Sequence, residues 1–235
     1  MRVCVHFVAV LLCLATAGLL ALEPGDESGQ ILGSYLAASR AQSQRLNGST
    51  AEVSIDAEIP RIHKTGRLAA IRRISKLGRL TYDVLRFEGD NSVKNNVIAR
   101  YLSAEAQVRE TGTASLAITP DNYKFSYKGR REWRGRSIHV FELKPRAKRK
   151  GLFKGTLWVD AQSYLPVREA GQFVKNPSIF IKKMQFTRDY QMQDGVAVVA
   201  ILESTVDTRL VGKARLTVRY ADYRMEPPGL ITDSQ

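Results

Sequence analysis

Nine residues, AEVSIDAEI, put Ala51, Val53, Ile55, Ala57 and Ile59 in one phase and Glu52, Ser54, Asp56 and Glu58 in the other. Near the far end of the chain, KARLTVRY sets Ala214, Leu216, Val218 and Tyr220 against Lys213, Arg215, Thr217 and Arg219. Successive side chains of a strand point to opposite faces, so an errorless period of two demands a sheet with one buried and one wet face. That is the signature of antiparallel strands, since a parallel sheet covered on both sides reads as unbroken apolar runs.

Further strands are expected near Thr65–Ile74, Leu80–Phe87, Leu116–Thr119, Tyr123–Tyr127, Ser137–Leu143 and Gly155–Val159. More follow at Pro166–Phe173, Phe180–Gln191 and Val196–Thr208, with Asp194-Gly195 as a hairpin signal. Leu80, Tyr82 and Val84 are expected to share a face, and Tyr123, Phe125 and Tyr127 another. Two segments break the alternation. Ile31, Leu32, Tyr35, Leu36 and Ala38 recur at helical spacing until Asn47-Gly48 stops them. Between Asn91 and Glu110, Val97, Ile98, Tyr101, Leu102, Ala106 and Val108 do likewise. The result is a mainly antiparallel β (α+β) chain of about ten strands in a meander, with two helices to cover the apolar side of a large sheet. That side is either a packed core or the interior of a partly open barrel filled by a ligand.

The first residues, MRVCVHFVAVLLCLATAGLLALEPGDE, carry one positive charge at Arg2, an apolar run and small residues at Ala15, Ala17 and Ala21. This is the layout of a secretory signal peptide, read as residues 1–21, with residues 22–235 as one domain. An uncleaved anchor is the competing reading; the strictly apolar core is about 12–13 residues, against roughly 20 for a membrane span. Either way the chain is exported. Both cysteines, Cys4 and Cys13, lie in that leader, so the mature chain has neither disulfide nor Cys-based metal site. The formal charge of +13 points, in an exported chain, to anionic headgroups, envelope polymers or acidic proteins rather than to nucleic acid. The densest basic run spans Lys128 to Lys154. Its loop KPRAKRK supplies Lys144, Arg146, Lys148, Arg149 and Lys150 as candidates for docking on a membrane or partner, against the plainer role of a solvated loop that guards strand edges.

Catalysis finds no support. His63 and His139 are the only histidines after the leader, and neither has a Cys or clustered carboxylate near it in sequence. There is no G-x-S-x-G, no H-E-x-x-H and no phosphate-cradling glycine loop. No enzyme activity, cofactor or metal is expected.

Trp158-Val159-Asp160, Leu165-Pro166-Val167-Arg168, Phe186-Thr187-Arg188-Asp189-Tyr190 and Asp194-Gly195, in that order, resemble the C-terminal half of the LolA-like group, the outer-membrane lipoprotein-sorting carriers and their relatives. The order of elements is similar from Ile31 to Tyr223, although the specific part lies between Trp158 and Gly195 and consists of strand ends and turns. The resemblance implies a half-open β-barrel with helices over its concave face and an apolar hollow that takes up acyl chains in the periplasm. Two departures leave the cargo open: the Asp-Gly-Lys signature with its aromatic is missing before the second helix, and the KPRAKRK loop is unusually basic.

On that resemblance, Val53, Ile55, Ala57, Tyr82, Val84, Phe125, Trp158, Met184, Phe186, Leu216, Val218 and Tyr220 would line the hollow. Val97, Tyr101 and Leu102 would form a lid that fills it when no cargo is bound. Without the resemblance the same residues read as an ordinary core. The implied function is a monomeric periplasmic carrier of lipid or lipoprotein acyl chains, loaded by an inner-membrane transporter and unloaded to an outer-membrane acceptor. The alternative is an envelope-stress regulator that senses such molecules through the same fold and binds an inner-membrane protein.

Overall fold

The computed structural model describes residues 24–110, 116–176, 181–209 and 212–225. The leader lies outside the described residues, as does Phe180. Helix α1 (Pro24–Arg45) leads into β1 (Ser49–Ile59), a 3₁₀ turn (Pro60–Ile62), β2 (Lys64–Ile74) and β3 (Leu80–Gly89). Helix α2 (Asn91–Val93) passes through a π turn (Lys94–Ile98) into α3 (Ala99–Glu110). Then come β4 (Tyr123–Trp133), β5 (Arg136–Pro145), β6 (Phe153–Asp160), β7 (Pro166–Phe173), β8 (Ile181–Gln193), β9 (Val196–Thr208) and β10 (Lys213–Met225).

All ten strands join one sheet in the order β3-β2-β1-β10-β9-β8-β7-β6-β5-β4. It is a meander cut once. The first and last strands pair antiparallel inside the sheet, Val53 opposite Tyr220 and Ile55 opposite Val218, so the two errorless patterns lie side by side. β3 and β4 are free edges, so the barrel stays open as expected. The segment Leu116–Thr119 is not a strand: Asn122 and Tyr123 donate their amides to the Thr119 carbonyl, which makes it a turn ahead of β4.

One face of the sheet, concave under the helices, carries the main apolar cluster. Ala51, Val53, Ile55, Ala57 and Ile59 of β1 are buried there with Leu216 and Val218 of β10 and Phe141, Leu143, Leu157 and Phe186 from the other half. Helix α1 lies over this second half, burying Ile31 and Tyr35 one turn apart. Its end is pinned to the β8–β9 turn, where Arg45 donates to the Asp194 carbonyl at 2.6 Å and Gln42 Oε1 accepts from the Ala197 amide at 2.9 Å. Gly48, at φ 76°, ends the helix as Asn47-Gly48 predicts.

Candidate functional site

The concave face beneath α2 and α3 is the region that the predicted cavity and lid residues define. Val53, Ile55, Ala57, Phe186, Leu216, Val218 and Tyr220 are all buried in its cluster. Tyr82, Val97, Tyr101, Leu102 and Phe125 pack against it, partly exposed. Three others lie elsewhere. Trp158 is on the opposite face, because it alternates with Leu157 and Val159; it belongs to a small convex cluster with Trp133, Ile138, Val140 and Val167. There it meets the Trp133 ring edge-on, with the Arg168 guanidinium 5.4 Å from its centroid. Val84 is in phase with Tyr82 and opposite buried Ala70, but it lies on edge strand β3 and remains 53 % exposed. Met184 is half-buried and part of neither cluster.

The face is occupied by the protein's own side chains, and at its centre they are polar. Arg72 of β2 stands in phase with buried Leu68, Ala70 and Ile74 and therefore points at the helices. It donates to Glu105 Oε1 of α3 through Nε at 3.1 Å and Nη2 at 2.9 Å. Glu105 Oε2 accepts from the Tyr82 hydroxyl at 2.5 Å and the Tyr101 hydroxyl at 2.8 Å, and Tyr101 is 2.8 Å from the Tyr220 hydroxyl. Burial alone would raise the Glu105 pKa; the Arg72 charge and the tyrosine hydroxyls together outweigh it and bring the carboxyl below its usual value. Burial, then the Glu105 charge, push Tyr220 up to about 12, so it stays a neutral hydroxyl.

A second polar group sits further along the same face. Glu169 of β7 accepts from Arg188 Nη1 at 2.9 Å and from the Tyr190 hydroxyl at 2.7 Å. Burial and the Glu169 charge raise the pKa of Tyr35 of α1 far above that of a free tyrosine. Residue patterns alone miss Arg72, Glu105, Glu169, Arg188 and Tyr190 as site residues. The available signal was a charge standing in an apolar phase: Arg72 among Leu68, Ala70 and Ile74, and Arg188 two residues after Phe186.

Helix α3 itself buries no side chain completely. The π turn before it sinks Ile98, as α2 sinks Val93, but from Ala99 onward the helix meets the sheet through Tyr101, Leu102 and Glu105. Its attachment is chiefly an ion pair, in which two Arg72 nitrogens share Glu105 Oε1, and three tyrosines. The carboxylates of the two groups are bound to arginines and tyrosines, and among the described residues no three His, Cys, Asp or Glu side chains gather to bind a metal.

No protein-family model and no curated protein match the chain in sequence. Solved structures do align with it. A DUF1329 family protein from Desulfovibrio piger is 14 % identical over 85 % of this chain and 95 % of its own, with a TM-score of 0.43. An outer membrane lipoprotein-sorting protein domain from Vibrio parahaemolyticus is 11 % identical over 86 % and 96 %, at 0.39. A LolA superfamily protein from Nitrosomonas europaea is 12 % identical over 84 % and 93 %, at 0.35. The chain is thus similar, at low identity, to a lipoprotein-sorting protein domain and a LolA superfamily protein.

Proposed function

We propose that the chain is an exported, periplasmic carrier that takes lipid or lipoprotein acyl chains onto the concave face of its sheet, with α3 as a lid that the cargo displaces. The observation that supports this reading is the chemistry of the lid contact. A helix that only completed a core would bury apolar side chains; α3 buries none fully and meets the sheet through Tyr101, Leu102 and a hydrogen-bonded ion pair, while the preceding α2 and π turn, with buried Val93 and Ile98, lie against β1 and β10. When the helix lifts, Glu105, Arg72 and the tyrosines regain water, so opening costs far less than exposing a leucine seam.

The magnitudes agree. Hydrogen bonds to charged groups contribute about 1.5–3 kcal/mol each and add poorly, so the Glu105 network is worth on the order of 5 kcal/mol. A 16-carbon acyl chain offers roughly 12 kcal/mol at about 0.8 kcal/mol per methylene, as an upper figure. Cargo can displace the lid, and the lid's return assists release.

The test is uptake of a fluorescent acyl probe, beside mass spectrometry of lipids extracted from gently purified mature protein. Tyr101→Glu places a second carboxylate against Glu105 and should raise probe uptake about tenfold while shifting stability by only about 1 kcal/mol. Trp158→Ala, on the convex face, should lower stability by about 2 kcal/mol and leave uptake unchanged. Loss of uptake in step with loss of folding would remove the lid role. The regulator reading has one observation of its own: edge strand β3 leaves Val84 and Leu85 53 % and 65 % exposed beside unpaired backbone, where a partner's strand could add. A regulator would bind an inner-membrane protein's periplasmic segment and transfer no lipid.

A further inference from the structure

The sheet register sends alternate connections to the same end of the molecule. The turn Pro60–Ile62, the loop 146–152, residues 174–176 after β7 and Gly212 ahead of β10 all lie on one rim, because Glu58 faces Arg215, Lys213 faces Asp207, Ile181 faces Thr208 and Phe153 faces Phe173. A Cβ on Gly212 would lie 3.3 Å from the Arg61 side chain, which confirms that neighbouring turns touch.

This rim is cationic in a built way. In the loop after β5, Arg146 Nε donates to the Pro120 carbonyl at 2.5 Å and Arg149 Nη2 to Asn122 Oδ1 at 2.6 Å. These two bonds fix the loop and leave Lys148 and Lys150 projecting. With Lys154 at the start of β6, they are exposed and form no ion pair among the described residues. Arg146, Lys148 and Lys154 flank an open groove of about 880 Å³ whose apolar members include Pro145, Ala147, Phe173 and Val174. Its one carboxylate, Glu142, is taken by Lys128 at 2.9 Å and Lys144 at 3.7 Å. Along the rim, Ile62 stands 40 % exposed at the tip of its turn. The opposite rim differs. There part of the charge is paired, Arg73 with Asp83 at 2.6 Å, Arg134 with Asp189 at 3.6 Å and Arg45 with a backbone carbonyl, while Arg79 and Arg131 are exposed and Leu77 is 97 % exposed, with no such groove beside them among the described residues.

We infer that the rim carrying Lys148, Lys150, Lys154 and Ile62 docks the protein on an anionic phospholipid bilayer. Lysines on flexible stems over an apolar groove suit an interface where phosphates lie above acyl chains, since ammonium groups reach headgroups while their stems and Ile62 meet the hydrocarbon boundary. Fixed arginines beneath them keep the loop from collapsing onto the protein. The inference goes beyond the carrier reading, because the rim would meet a bilayer whether or not α3 yields.

The experiment is co-sedimentation of the mature chain with vesicles of equal parts phosphatidylcholine and phosphatidylglycerol, and with phosphatidylcholine alone. Two triple variants remove the same charge: Lys148→Gln, Lys150→Gln, Lys154→Gln on the proposed rim, and Arg79→Gln, Arg131→Gln, Arg224→Gln towards the other. Retention should occur only on the phosphatidylglycerol vesicles and fade with added salt. It should weaken about fivefold per lysine, on the order of a hundredfold for the three, and barely change for the arginine set. Circular dichroism on both variants checks that exposed substitutions leave the fold intact. Absence of retention, equal retention on phosphatidylcholine alone, or equal weakening by both variants would each overturn the inference.

Discussion

Glu105 stands between an arginine from β2 and tyrosines from β3, β10 and its own helix, and that position makes the attachment of α3 depend on pH in a definite direction. With α3 seated on the sheet, the Glu105 carboxyl is held below its ordinary value by Arg72 and the hydroxyls, against the opposing effect of burial. The contribution is therefore complete above the free value of about 4.3 and disappears as the pH falls through the depressed one. Protonation removes the ion pair with Arg72 and one acceptor site for the tyrosines, and α3 loosens while the apolar floor is unaffected. Hydrogen exchange of residues 97–110 should accelerate relative to that of α1 as the medium is acidified into this window. In Glu105→Gln the segment should exchange about tenfold faster at neutral pH and show no such acid step. An unchanged acid step in the variant would assign the titration to another group.

At the scale of elements, the hairpin β6–β7 shows why a strand can require glycine for a reason other than its backbone angles. Gly155 and Gly171 face each other across the ladder; a Cβ on Gly155 would press into the Ala170 carbonyl and stand 2.6 Å from Gly171 Cα. A Cβ on Gly171 would meet the Phe153 ring at 2.5 Å, and that ring is wedged edge-on against Phe186 at 4.9 Å between centroids. Gly155→Ala should cost about 3 kcal/mol or more in chemical denaturation, as overpacking against backbone cannot relax by rotamer change. Gly29→Ala, with open space around its Cβ in the middle of α1, should gain about 0.5–1 kcal/mol. Strands of this kind were legible wherever one face is wet. Pro166–Phe173 and Val196–Thr208 are bounded as their patterns read, and β1 and β10 pair with each other away from either edge. Legibility failed where another constraint outranked alternation: Leu116–Thr119 is apolar enough for a strand but closes a turn onto its own Thr119 carbonyl. Trp158 was misplaced because its size suggested a pocket, although its phase against Leu157 and Val159 already put it outside. The polar centre of the site could not be read locally, since Arg72, Glu105 and Tyr220 converge only after strands distant in sequence pair.

For the whole molecule, the consequential fact is that β1 lies between β2 and β10. The sheet is two meanders, β1–β3 with α3 resting on them and β4–β10 under α1, joined by one seam along β1 and β10. That seam closes a loop of nearly the entire chain, a late and entropically costly step. The apolar cluster nevertheless runs through both halves without a break, so the intact protein should unfold as one unit. Both tryptophans, Trp133 and Trp158, lie on the convex face of the second half, which makes their fluorescence a reporter of that half alone. In urea, tryptophan fluorescence and far-ultraviolet circular dichroism should give coincident transitions for the unaltered chain. Ile55, fully buried at the seam opposite Val218, is the residue to perturb. Ile55→Ala should cost about 2–5 kcal/mol and separate the two probes, with the dichroism signal of β1–β3 and α3 lost first and the tryptophan transition moved less. Probes that stayed coincident at the lower midpoint would show that the seam belongs to one indivisible core. In that case the lid would open as a helix lifting from a rigid sheet, and the first meander would not yield with it.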